Sequence, residues 1–158
     1  MLYLLGFFSG FAAILYQILW MRSLGLIFGS SAVSIGICLT AFMAGLGIGS
    51  FVLGRAADRM ARPERMYAWL EIGIGIYGIL APAIFSAGNG LFHALYDAAA
   101  GRPAILLAAR AVCSFGLLLV PTFLMGGTYP AAIRYLTTSP DSRGRPLGLF
   151  YATNTAGA

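Results

Sequence analysis

Glu71 and Arg110 stand inside long stretches that carry no other charge, and Gln17 and Tyr16 add polarity to a third such stretch. An ionisable group in apolar surroundings must be paired, hydrated or extended toward water, and it is a functional candidate for that reason. A carboxylate there can accept hydrogen bonds or hold a cation, and a guanidinium can hold an anion. The structural alternative is a long side chain reaching the nearest aqueous boundary. Gln17, Glu71 and Arg110 form the candidate intramembrane polar set.

Other chemistry is sparse. His93 is the single histidine and has Asp97 four residues on, a spacing at which the two could pair on a helix. Cys38 and Cys113 both fall in apolar runs and read as small buried hydrophobes rather than a disulfide. No His, Cys, Asp or Glu set has metal-ligand spacing, and no nucleophile–base–acid arrangement is legible. No catalytic residue, metal or cofactor is expected in this chain. "GIGIYG" (73–78) matches G-x-G-x-x-G, but that pattern binds dinucleotides only after a strand and at a helix start. Inside an apolar run, Gly73, Gly75 and Gly78 are expected to admit a neighbouring helix.

"GRAADRMARPER" (54–65) concentrates the charge. It holds Arg55, Asp58, Arg59, Arg62, Glu64 and Arg65 in a chain whose residues are only 9% charged, with ten basic residues that are all arginine. Gly54 lies four residues before Asp58. Asp58 can accept hydrogen bonds from arginines or from helix N-terminal amides.

The elements that position these residues follow from the charge-free stretches. No charged residue lies in 1–21, 23–54, 72–95 or 111–133, and 59% of the chain is hydrophobic, with a mean hydropathy of +0.85. About 20 apolar residues cross a hydrocarbon core as helix. The fold class is therefore an all-α polytopic membrane protein, with the lipid bilayer as its solvent. Spans are expected at about 2–20, 33–53, 66–87 and 104–136, the last kinked by its prolines and glycines. A fifth, incomplete helix opens at 147–158. Between the third and fourth spans, residues 88–103 are expected as a connection carrying a short interfacial helix. Gly6/Gly10 and Gly45/Gly49, the second pair extended by Ala41, have the spacing of close-packing seams. Residues 1–21 lack the charged n-region of a cleaved signal peptide and read as a retained span. The last helix has neither cap nor stop signal before Ala158, which predicts a piece of a longer chain.

Alternating spans put residues 54–65 and 137–146 on one side. That side carries Arg55, Arg59, Arg62, Arg65, Arg134, Arg143 and Arg145, against Arg22 and Arg102 on the other. Short loops rich in Lys and Arg stay cytoplasmic, so the N-terminus is expected inside a cell (inner) membrane. The positive charge is thereby a matter of topology, and no nucleic-acid partner is expected.

The 54–66 segment resembles the loop motif between the second and third helices of the major facilitator superfamily, G-x-L-a-D-r-x-G-r-k-x-x-l. Gly54, Ala57, Asp58, Arg59 and Arg62 fall on matching positions, while Ala61 replaces the second glycine and Pro63 a basic position. The resemblance implies four helices and the start of a fifth from the N-terminal half of such a bundle. It also makes Gly54, Asp58, Arg59 and Arg62 a candidate latch between cytoplasmic helix ends. "SGFAAILYQILWMRSLGLIFGSS" (9–31), "PTFLMGGTYPAAIRYL" (121–136) and "GLFYATNTAGA" (148–158) are similar to the membrane region of fused major-facilitator/spermidine-synthase-like proteins. That implies partners in the same protein, namely further helices and a C-terminal aminopropyltransferase-type domain. The implied function is anchoring that domain or moving a small molecule; self-association is left open. The alternative is a truncated major-facilitator-type transporter.

Overall fold

A computed structural model describes residues 2–29, 32–98, 102–137 and 145–158. They form five α-helices: α1 (Leu2–Phe28), α2 (Ala32–Arg59), α3 (Pro63–Ala98), α4 (Pro103–Thr137) and α5 (Arg145–Gly157). Four of them, α1 to α4, are long and apolar enough to cross a membrane. The chain is an all-α, membrane-type fold.

α1 ends where Gly29 takes a left-handed conformation, φ 81°, which glycine adopts without steric cost. Residues 138–144, including Arg143 and most of the expected 137–146 loop, lie outside the described residues.

Helix–helix packing is built on small residues. Lipid tails are as apolar as leucine, so backbones must approach closely enough for dispersion to hold them. At the α2–α4 seam a side chain on Gly45 would meet Thr122, and one on Gly49 would meet the Phe123 carbonyl. From the other side, a side chain on Gly126 would meet the Leu46 carbonyl. Ala41 is fully buried in the same seam. The second expected seam joins α1 to α5: Gly6 faces the Phe150 ring, Gly10 the Asn154 backbone, and Gly157 the Phe7 carbonyl. Asn154 Nδ2 also donates to the Gly6 carbonyl at 2.9 Å. In "GIGIYG", Gly73 and Gly78 face Leu124 and Tyr16 closely, whereas Gly75 has open space.

The connection expected at 88–103 is mostly helix. α3 continues without a break to Ala98 and contains Pro82. Gly88, Asn89 and Gly90 read as a turn in water, but Gly88 packs against the Leu117 side chain and Phe92 is buried one turn later. Tertiary burial outweighs local propensity here. At 1.5 Å per residue α3 is about 54 Å long, more than the roughly 30 Å of a hydrocarbon core. It must tilt or project from the bilayer.

The larger core lies toward the Arg110 end. Tyr16 stacks on Trp20 with ring centroids 5.0 Å apart, and Trp20 meets Tyr77 edge-on at 5.5 Å. The Tyr77 hydroxyl donates to the Leu117 carbonyl. Cys38 and Cys113 are buried free thiols, and Cys38 Sγ lies 3.6 Å from Ser114 Oγ.

Candidate functional site

The arginine-rich segment is made of helix ends. Gly54, Arg55, Asp58 and Arg59 occupy the last turns of α2, and Arg59 suits the negative end of its dipole. Arg62 precedes α3, and its carbonyl accepts from the Arg65 amide at 3.1 Å. Pro63 takes the first helical position, where its missing N–H costs nothing, and Glu64 follows in the positive first turn. A side chain on Gly54 would touch Pro130 of α4 at an ordinary 3.4 Å. The Arg55 guanidinium lies 3.5 Å over the Phe51 ring. Asp58, Arg59 and Arg62 are all exposed, and Asp58 has no ion pair among the described residues.

Glu71 and Arg110 lie in separate places. Glu71 sits level with Met125 and Thr128 of α4, so Arg110 is about 22 Å away along the axis. Arg110 Nη1 approaches Ser34 Oγ at 3.4 Å. Gln17 is half-buried on α1 and lines neither of the cavities described next.

Glu71 is the centre of a polar site. Ser9 Oγ of α1 donates to Glu71 Oε1 at 2.6 Å, which joins residues 62 positions apart. Tyr67, one turn earlier on α3, is only 5% exposed and lies beside both. Its hydroxyl completes a hydrogen bond with neither. Helical spacing stacks Tyr67 and Glu71 on one face, and the α1–α3 crossing brings Ser9 to them.

Two cavities share Tyr67 and Glu71 as a wall. The inner one, of about 310 Å³, draws residues from all five helices, including Ser9, Leu46, Thr128 and Asn154. Tyr129, Phe150 and Tyr151 complete an aromatic side, with Tyr129 5.9 Å from Phe150 and 6.2 Å from Tyr151 between centroids. The outer cavity, of about 500 Å³, lies at the arginine-rich end and is lined by Leu2, Leu5, Glu64, Ala132 and Tyr135 as well. Tyr67 and Glu71 therefore stand between a cavity bordered by all five helices and one at the bundle's charged end.

Sequence reasoning found Glu71 but missed Ser9, Tyr67, Thr128 and Asn154. Tyr67 alone had a local signal, its i,i+4 relation to Glu71. The other three depend on how distant helices cross. Among the described residues no group of three His, Cys, Asp or Glu side chains could hold a metal. Compared with known proteins, the chain matches no family model, no curated protein and no solved structure.

Proposed function

We propose that this chain is the helical membrane module of a fused major-facilitator/spermidine-synthase-like protein, and that its interior accommodates a small solute. The fusion rests on the resemblance of segments 9–31, 54–66, 121–136 and 148–158. The solute-handling part is carried by one observation: Glu71 is held by Ser9 in the wall between two cavities. An anchor needs no carboxylate there, because an apolar residue would pack at lower desolvation cost.

The test is aqueous access. Ala12 lines the inner cavity, while Ile79 is 81% exposed on the outside of α3. In the intact protein in membranes, Ala12→Cys should react with a charged methanethiosulfonate reagent and Ile79→Cys should stay silent. The unmutated chain, with its two buried cysteines, sets the background. Ala12→Cys as silent as Ile79→Cys would reduce the domain to an anchor.

The arginine distribution supports a cytoplasmic N-terminus. Ala61→Cys, between α2 and α3, should label only from the cytoplasmic side. His93→Cys, exposed near the far end of α3, should label only from the opposite side. Labelling of both from one side would overturn this orientation.

A further inference from the structure

The inner cavity has the chemistry of a cation site with a charge limit. Among the described residues Glu71 is the one carboxylate in its wall, and no Arg or His lines it. Tyr67, Tyr129, Phe150 and Tyr151 supply aromatic rings, whose faces attract cations most strongly when water is excluded. Its volume is at the lower end of small-molecule sites, which run from about 300 to 1,000 Å³.

Acceptor atoms for a cationic donor stand around the cavity. Ser9 spends its proton on Glu71, and Thr128 spends its own on the Met125 carbonyl at 2.8 Å. Asn154 directs its amide nitrogen to Gly6, leaving its carbonyl oxygen as an acceptor. The Tyr67 oxygen, buried and unpartnered, is the sharpest feature, because such a group is costly unless something completes it. A primary ammonium brings three N–H donors and one positive charge. It can bond Glu71, the Tyr67 oxygen and one further acceptor while its carbon chain lies against the aromatic wall.

We propose that this cavity binds a singly charged primary alkylammonium, with Glu71 as counter-ion and Tyr67 as hydrogen-bond acceptor. The proposal rests on the reading that the interior accommodates a solute, and it adds the chemical class. A second positive charge would be left in the cavity without a carboxylate, so a diammonium is disfavoured.

The experiment is calorimetric titration of the full chain in detergent with n-butylammonium, butan-1-ol and butane-1,4-diammonium. Butylammonium should bind saturably, at least tenfold tighter than either of the others. Glu71→Gln should weaken it at least tenfold, and Glu71→Asp should restore most of the loss. Tyr67→Phe removes a buried oxygen that has no partner and keeps the ring, so it should leave thermal stability equal or higher and weaken butylammonium three- to tenfold. It keeps the test decisive if Glu71→Gln fails to fold. Absence of saturable binding would overturn the proposal, as would equal binding of the alcohol, tighter binding of the diammonium, or full affinity in Tyr67→Phe. Failure here with Ala12→Cys still labelled would leave a water-accessible cavity of different ligand chemistry. Failure of both would remove the solute reading itself.

Discussion

Gly49→Leu should separate α2 from α4 and leave a chain that is still helical but no longer packed. A Cβ at position 49 would fall on the Phe123 backbone carbonyl, and on the facing helix a Cβ at Gly126 would fall on the Leu46 carbonyl. A clash with a flexible side chain can be relieved by rotation, but a clash with a helix backbone requires the whole helix to move. Overpacking typically costs about 1–3 kcal/mol, and a leucine at this seam belongs at or above the top of that range. Dispersion across the seam is short-ranged, so moving the axes apart loses contact along its full length. Gly47, two residues away, has open space where a Cβ would stand, with no neighbour within 4 Å. Gly47→Ala should therefore be neutral or stabilising by up to about 1 kcal/mol, through helix propensity alone. Unfolding in mixed detergent–SDS micelles, followed by circular dichroism and proteolysis, compares the two. Equal midpoints for Gly49→Leu and Gly47→Ala would mean that α2 and α4 do not meet at this seam.

The contrast between Gly47 and Gly49 also shows what was legible in the sequence. Four spans follow from charge-free runs because the energetic rule is local: each crossing residue must be tolerable in hydrocarbon. The glycine seams follow from four-residue spacing. The partner of each seam does not, since Gly45/Gly49 could have met any helix and Gly6/Gly10 gave no hint of Phe150 or Asn154. α3 continues as helix past the expected span for a related reason. Gly88, Asn89 and Gly90 are loop-formers by local propensity, and the packing of Gly88 against Leu117 and the burial of Phe92 one turn later outweigh it. The site shows the same division. Glu71 announced itself as a lone charge, but the serine that binds it is 62 residues away in sequence. Gln17 and Arg110 were polar candidates on the same ground, and neither lines the cavities that Glu71 borders.

Ser9→Ala should destabilise the bundle, and adding Glu71→Leu should restore it. Alone, Ser9→Ala leaves Glu71 Oε1 without the donor it now has at 2.6 Å. Loss of a hydrogen bond to an ionisable group costs about 1.5–3 kcal/mol, and the lower end applies here because the pair is only part-buried. Glu71→Leu alone should cost little, because the Ser9 hydroxyl can turn to the carbonyl one turn earlier in its own helix. In the double variant both polar partners are gone and apolar surfaces of similar volume meet. Replacing both members of a polar pair withdrawn from water is often neutral or stabilising. The cycle should therefore give a coupling energy equal to the whole cost of Ser9→Ala, about 1.5 kcal/mol, within the range for contacting pairs. The double variant should match the wild-type unfolding midpoint and yet bind no butylammonium. That combination separates the two roles of the carboxylate. A group kept for stability would leave the double variant weakened, whereas a group kept for binding leaves it folded and inert. If Ser9→Ala is silent, or if Glu71→Leu fails to rescue it, Ser9 and Glu71 are not coupled and the carboxylate merely extends toward the arginine-rich end.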